Sequence, residues 1–536
     1  MTERLRFTNG RLRTMDAGRP VATDLLVEDG YIVEALDGGA GVPAESDWRV
    51  VDLEGATVLP AFTDGHAHLT RTGLRLLDLD LDGVGGVEEG LDLLASAARA
   101  ADRPVIRGWG YDETRSERPL TARDLDRVTD RPVFLGRVGD LAALVNSAAM
   151  ELLGVPEGMA GVLRADGGEL SGWLTGQAYH YALRQLHRLL GEEERREALD
   201  AAVAQALAAG VTCVHAIEGS RFGQLMGGRM EPNHDLERLL AADLPLDLVP
   251  FDTQIHGLGD LGRIARAGLR HAGGDLQVDG VLGPGAVEGV ARAALSLPYA
   301  DGVGGRGRLL ITRERLRELM VVAVDQGLQL AVHAIGDRAI ALVLDAVEDV
   351  RRERSDVADM RLRLEHGLLP AESDLERAAR LGIVFSVQPA TELLFGGRRG
   401  CYADLLGELR VRQTNPLREL AAAGVRLAGG TASPLAPLNP LLGIAGAALH
   451  PFEGHRLDRE AAFALYTTGA AWAAFEEDRR GRLRPGFLAD LIALDPDPFQ
   501  LPAERLSEVR VIRTWRRGRE VFRLRERRPG DLVPTG

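Results

Sequence analysis

The stretch Thr57-Val58-Leu59-Pro60-Ala61-Phe62-Thr63-Asp64-Gly65-His66-Ala67-His68 runs from an apolar start into two histidines separated by one residue. Successive side chains of a strand point to opposite faces, so Asp64, His66 and His68 are expected to project from one side where the strand ends. Two imidazoles on one face make half of a metal site, because Zn²⁺ and similar ions take neutral ring nitrogens and leave room for further ligands. An isolated His-x-His is more often a surface pair, so the rest of the chain has to decide.

Outward from this stretch, apolar β-branched runs alternate with helical patterns, the signature of a βα array with a parallel sheet. The runs fall at residues 58–63, 211–217, 246–255, 276–282, 328–335, 362–366, 383–388 and 425–429. Helices are expected between them, for example over 195–209 and 313–326. Eight strand–helix units close most simply into an α/β TIM (β/α)8 barrel. The gap between the first and second strands, about 75–190, exceeds one crossover helix and reads as an inserted subdomain over the barrel mouth. Turn pairs Asn9-Gly10, Asp29-Gly30 and Glu54-Gly55 break the first residues into short strands, and Arg517-Gly518 does the same near the far end. The expected organisation is therefore a small β-sandwich formed from both termini, residues 1–56 and 479–536, around a barrel at 57–478.

Polar residues recur at the C-terminal ends of these strands, where the chemistry of such a barrel sits. His66 and His68 end the first, His215 and Glu218 the second, and Asp275, Gln277 and Asp279 alternate at the fourth. His333 ends the fifth, Glu365-His366 the sixth and Gln388 the seventh. Each histidine alone reads as a hydrogen-bonded core or rim residue. Four at one barrel level point to a bound metal.

Bulk properties narrow the class. Of 536 residues, 45% are hydrophobic and 27% charged, as in a soluble globular protein. A formal charge of -15 argues against nucleic acid and anionic membrane as partners and is compatible with a small-molecule substrate. The short basic stretch from Arg513 to Arg528 does not alter that balance. No apolar leader follows Met1 and no run of about 18 apolar residues occurs, so the expected location is cytoplasmic. Cys213 and Cys401 are too few for a disulfide framework. Lysine is absent altogether, which excludes a Schiff base or a carboxylated lysine.

The chain resembles the amidohydrolase superfamily and, within it, amidohydrolase family 3, the YtcJ-like branch. The resemblance is carried, in order, by Leu59 to His68, Gly108-Trp109-Gly110-Tyr111-Asp112-Glu113, Val145-Asn146-Ser147, Gly210-Val211-Thr212, Val278-Asp279-Gly280, His333 to Ala339, Glu365-His366-Gly367, Gln388-Pro389 and Gly481 to Leu491. It implies a metal-bearing barrel with a β-sandwich and hydrolysis of C–N bonds in amides, ureas or N-formyl compounds. It also implies His66, His68, His333 and His366 as ligands of one divalent ion, zinc first with iron or manganese as alternatives, and a homodimer as the common assembly of related barrels.

Three polar positions of the family pattern are missing. The strand-eight motif Gly-Ser-Asp-x-Pro is here Gly430-Thr431-Ala432-Ser433-Pro434, an expected histidine is Leu141, and an expected glutamate is Gly176. The strand-eight aspartate serves relatives as general base, a role a methyl group cannot fill. Two accounts follow. In one, another carboxylate replaces the base, with Asp275, Asp279, Asp337 and Glu218 as candidates by position and Asp275 and Asp337 foremost. Asp275 lies near the place of the bridging carboxylated lysine of relatives, though it also reads as a solvated strand-start residue, and Asp337 as a helix cap or a partner of His333. In the other, hydrolysis is lost and the barrel is a ligand-binding module. Trp109, Asp112, Arg338 and Gln388 are the candidate substrate contacts, with a rim salt bridge as the plain alternative for Arg338.

Overall fold

The computed structural model describes residues 3–37, 48–100, 103–139, 141–219, 234–283, 291–303 and 305–524. Eight parallel strands lie side by side in chain order: β1 (Phe62–Ala67), β2 (Val211–Glu218), β3 (Asp247–Asp252), β4 (His271–Gln277), β5 (Gln329–Ala334), β6 (Arg363–His366), β7 (Val384–Val387) and β8 (Arg426–Gly429). Helices such as Glu192–Ala208, Arg313–Asp325 and Asp337–Glu353 cover the outside. The strands are buried on both faces, which is why they read as continuous apolar runs rather than alternating ones. Past β8 the chain closes on β1: Ala432 N donates to His66 O at 2.7 Å and His68 N to Ser433 O at 3.0 Å. Gly65 permits that approach, since a Cβ there would sit 2.6 Å from the Gly429 carbonyl oxygen. The result is the expected (β/α)8 barrel.

Two strand assignments need correction. The run at 58–63 is two strands: Thr57–Pro60 pairs antiparallel with Leu491–Asp495 in an outer sheet, and only Phe62–Ala67 enters the barrel. Ala61 N bonding to Asp490 O marks the crossover, and the apolar pattern runs through it because both halves are buried. The fourth strand lies at His271–Gln277 rather than 276–282, because Gly273 and Gly274 sit inside it instead of before it. Between Gly273 and Leu276 the pairing with β5 slips, a bulge that both glycines serve at φ +90° and +88°. A Cβ on Gly273 would lie 2.1 Å from the Ala331 carbonyl oxygen, which leaves that position to glycine.

Both ends of the described chain build two further sheets at the barrel's side. One joins Tyr31–Leu36, Asp24–Glu28, Arg4–Thr8 and Arg49–Asp52; the other joins Arg519–Arg523, Arg510–Arg516, Leu491–Asp495, Thr57–Pro60, Arg11–Arg13 and Val21–Ala22. Their shared core includes Leu5, Phe7, Val27, Val58, Leu491 and Trp515, with Phe7 edge-on to Trp515 at 5.5 Å. Residues 525–528 of the basic stretch lie outside the described residues. Between β1 and β2 a separate six-stranded sheet runs from Leu79–Asp80 to Leu170–Thr175. It is tied to the barrel by Arg107, which bonds to Asp78 and Glu194, each at 2.6 Å. Among the described residues no helix is long and apolar enough to cross a membrane.

Candidate metal centre

At the C-terminal mouth of the barrel each of the four expected histidines has one ring nitrogen committed to a hydrogen-bond acceptor. His66 Nδ1 lies 2.7 Å from Glu365 Oε2, and His68 Nδ1 lies 2.6 Å from the Ile217 carbonyl. His366 Nδ1 lies 2.7 Å from Gln388 Oε1, whose amide orientation is set because Gln388 Nε2 donates to Ser386 O. His333 Nε2 lies 3.2 Å from the Gly280 carbonyl. Carbonyls and an ionised carboxylate only accept, so each contact fixes a tautomer and leaves the lone pair on the other nitrogen. That is Nε2 of His66, His68 and His366, and Nδ1 of His333. His66 Nε2 is buried and has no hydrogen-bond partner among the described residues.

The rings converge. Centroids are 5.3 Å apart for His66 and His68, 5.2 Å for His66 and His366, and 4.6 Å for His333 and His366. The β4 bulge turns Asp275 toward them, and donor atoms of His66, His68 and Asp275 lie within 4.8 Å of one another, all three buried. Burial, reinforced by His333 and His66, pushes the His366 pKa well below its ordinary value, so that ring is neutral as a ligand must be. Imidazole nitrogens of His66 and His68 grouped with a carboxylate oxygen of Asp275 fit a divalent ion.

A buried ionic group stands beneath the histidines. Arg363 and Glu365, two apart on β6, both point into the barrel and pair at 2.9 Å. Arg363 also donates to Gly65 O at 2.7 Å and Ser386 Oγ at 3.1 Å, meets His215 Nδ1 at 2.9 Å, and stacks on Phe251 at 4.6 Å. Burial alone would raise the Glu365 pKa, but Arg363 and His66 override it and hold the carboxyl at about 2. Asp64 does not join the histidines despite its alternate position. A slip in the β1–β2 pairing breaks the alternation, and its carboxylate accepts from Thr431 N at 3.0 Å and Thr431 Oγ1 at 2.6 Å.

A cavity of about 100 Å³ opens above the centre, lined by His68, His333, His366 and Gln388 and walled by Leu141, Ile335, Leu368, Phe395 and Tyr402 among others. Ala432 and Leu141, two of the departures, both face it, and Ala432 holds a left-handed φ of +52°. The remaining candidates lie apart from it. Asp337 accepts from Ser296 N at 2.9 Å, and Arg338 is exposed on the same helix. Asp112 caps the short turn Glu113–Arg115, and Trp109 donates to Asp78 beside a smaller cavity. Asp279 accepts from Ala294, Ile335 and Gly336 N–H groups, which commits it to backbone. Glu218, its pKa pushed up to about 8 by burial, accepts from Thr70 N. Residues not singled out from sequence are Glu365 as partner of His66, Arg363 beneath it, and Arg71 at the cavity wall. The alternation Arg363-Leu364-Glu365 in a barrel strand was the available signal for the first two.

Comparisons with known proteins agree with the barrel fold. The model of the amidohydrolase family matches residues 49–522. The chain is similar to the putative amidohydrolase YtcJ of Bacillus subtilis (strain 168), at 30% identity over 92% of this chain and 95% of that one. It is also similar to the N-substituted formamide deformylase of Arthrobacter pascens, at 28% identity over 95% and 97%. Among solved structures, an uncharacterized metal-dependent hydrolase from Pyrococcus horikoshii OT3 matches with a TM-score of 0.76 and 26% identity, covering 94% of this chain and 99% of that one. With its (β/α)8 barrel, its convergent histidines and a family match spanning nearly all of its length, the chain belongs to the amidohydrolase family, metal-dependent hydrolases of carbon–nitrogen bonds other than peptide bonds.

Proposed function

We propose that this protein hydrolyses the C–N bond of a small amide, N-formyl or urea-like compound, with one divalent ion, zinc foremost, held by His66, His68 and Asp275 and flanked by His333 and His366. The observation that carries the reading is the grouping of ligand atoms of His66, His68 and Asp275 within 4.8 Å of one another, with the rings of His366 and His333 next to them and a hydrogen bond fixing the tautomer of each histidine. The deformylase relative supports N-formyl compounds as the first to try. A divalent ion in this place supplies Lewis acidity toward a carbonyl and lowers the pKa of water.

The protein's own groups do the rest. Asp275 takes over the proton-accepting role that a carboxylate at position 432 plays in the family pattern, since it is the carboxylate grouped with the two β1 histidines. Glu365 holds His66 in one orientation, and Gln388 does so for His366. The apolar wall of Leu141, Ile335, Leu368 and Phe395 keeps bulk water from the reacting bond and receives the substrate's carbon skeleton.

The test is metal analysis of purified protein together with turnover of N-formyl, N-acyl and urea compounds by the parent and by Asp275→Asn. The reading expects about one equivalent of metal and turnover that the variant lowers by about 10²–10⁴-fold, the usual weight of a general base. Bound metal with no turnover across the panel would favour a ligand-binding module, the reading that Ala432 at the cavity wall supports. Protein that takes up no metal overturns both the ligand set and the reaction.

A further inference from the structure

Asn415 lines the main cavity from the loop before the helix Leu417–Ala422 and is 1% exposed. Its backbone is held on both sides: its N–H donates to Leu368 O at 2.8 Å, and its carbonyl accepts from Leu417 N at 2.7 Å. Leu368 follows His366 by two residues, so the first bond ties Asn415 to the loop that leaves β6 beside the histidines. The backbone there is left-handed, with φ +43°, a conformation that Asn tolerates better than most residues.

The side chain is held as firmly. Asn415 Nδ2 donates to Glu392 Oε1 at 2.7 Å, and Glu392 also accepts from Thr414 Oγ1 at 3.1 Å. Glu392 is buried on the helix Ala390–Leu394, which begins two residues past Gln388, the partner of His366. An ionised carboxylate only accepts, so the amide NH2 faces Glu392 and Oδ1 turns away from it. Oδ1 meets no donor among the described residues and yet is not sealed in the interior, which leaves it open to the cavity that Asn415 lines. Nearby polar groups of the lining are engaged with protein: Gln388 with His366 and Ser386 O, and Thr391 Oγ1 with Gln388 O at 2.8 Å. Ile335, Leu368 and Phe395 make the surroundings apolar. An acceptor in such a lining draws an N–H from whatever fills the cavity, because leaving it desolvated and unpaired costs free energy.

We propose that Asn415 accepts a hydrogen bond from the N–H at the bond to be cut, so that this centre selects N-monosubstituted formamides, amides or ureas over esters of the same shape and over N,N-disubstituted amides. The inference rests on the reading of the cavity as the place where the C–N bond is cut, and it adds the residue that recognises the nitrogen side of that bond.

Turnover and binding test it separately, both at pH 8, above the value of about 7 to which burial raises the Glu392 pKa. N-(2-phenylethyl)formamide and 2-phenylethyl formate have the same shape and differ in N–H against O. Their intrinsic difference in reactivity cancels when the ratio of their kcat/KM values is compared between parent and variant. In metal-loaded Asn415→Gly, which suits the left-handed backbone, the formamide-to-ester ratio is expected to fall by about 5- to 150-fold, the weight of an acceptor that the ester leaves unpaired in the parent. A misfolded variant would lose both compounds equally. An unchanged ratio in a variant that still turns over both would overturn the proposal. Calorimetry on the full-length parent after chelation, which stops a metal-dependent cleavage, is expected to show the formamide bound more tightly than the ester by the same factor. Equal affinities, or no saturable binding of the formamide, would overturn the contact whether or not Asn415→Gly folds. If the metal-loaded parent cleaves neither compound, the reaction reading fails, while calorimetry still decides on Asn415.

Discussion

Replacing Glu365 by Gln tests how much of the centre depends on the ionic group beneath it. The substitution keeps an acceptor for His66 Nδ1 but removes the charge that faces Arg363 at 2.9 Å, with both side chains fully buried. The guanidinium would keep Gly65 O, Ser386 Oγ and His215 as neutral partners but would have no counter-charge. Breaking a buried pair from one side costs about 3–5 kcal/mol, a large share of the roughly 5–15 kcal/mol that holds a typical domain folded. At about 2.1 cal/mol/K of unfolding entropy per residue, the 536 residues give roughly 1.1 kcal/mol/K if they melt together, so Tm should fall by about 3–5 °C. The carboxylate also fixes and enriches the His66 ring as a donor, so metal affinity should weaken by about 10- to 100-fold. Differential scanning calorimetry of the metal-free protein reads the first effect, and competition with a chromogenic chelator reads the second. An unchanged Tm together with unchanged metal affinity would refute the reasoning, because it would mean that Arg363 needs no counter-charge and His66 needs no carboxylate.

Gly273→Ala is expected to destabilise by at least about 1–3 kcal/mol and to lower metal content, since its φ of +90° and the Ala331 carbonyl oxygen leave no room for a methyl group. Intact metal binding in a folded Gly273→Ala protein would remove the bulge from the account of how Asp275 is aimed. Ala432→Asp is expected to tighten metal binding by about 10-fold or more, as an added carboxylate ligand would, and the left-handed φ of +52° suits Asp better than Ala. Unchanged affinity on chelator competition would place residue 432 out of reach of the ion. Glu392 is buried against Asn415 and Thr414, and burial pushes its pKa from 4.5 up to about 7. A raised carboxyl pKa gives stability that is fully present below pH 4.5 and is lost as pH rises through 7. Glu392→Gln should therefore match the parent near pH 4.5 in shape of unfolding and gain on it by about 3 kcal/mol by pH 8. A gap between the urea curves that does not change with pH would show that Glu392 does not titrate in this range.

The barrel and the four histidines gathered at its mouth were legible because each rests on a local signal. Buried parallel strands give apolar runs, and a strand end that carries chemistry gives a polar residue straight after one. What local pattern cannot carry is register between distant segments. The 57–67 run reads as one strand because both of the sheets it serves are apolar, and only the partner Leu491–Asp495, more than 400 residues away, separates them. Gly273-Gly274 reads as a turn before a strand, since two glycines at positive φ look alike in a turn and in a bulge. Asp337 and Arg338 follow His333 closely in sequence and yet point off the rim, because the chain has already turned into the helix Asp337–Glu353. Arg71 is invisible as a cavity-lining residue for the converse reason: only the fold shows that its helix borders a cavity.

Two of the three departures from the family pattern share one physical consequence. Both exchange a polar side chain at the cavity for an apolar one, Ala432 and Leu141, and neither is offset by a carboxylate among the described lining residues. A divalent ion among four neutral imidazoles and the single carboxylate Asp275 would keep a net positive charge, since Glu365 behind His66 is already balanced by Arg363. With a second carboxylate at position 432 that charge would be neutralised. On the proposed function, a divalent ion at one end of an apolar cavity would favour an anionic substrate over a neutral one of the same shape, because little water is present to screen the charge. On that reading the absence of a carboxylate at position 432 would both remove a base and shift selectivity, and the two effects separate experimentally: loss of a base lowers kcat for every substrate, whereas a change of site charge alters the ratio of kcat/KM between charged and neutral ones.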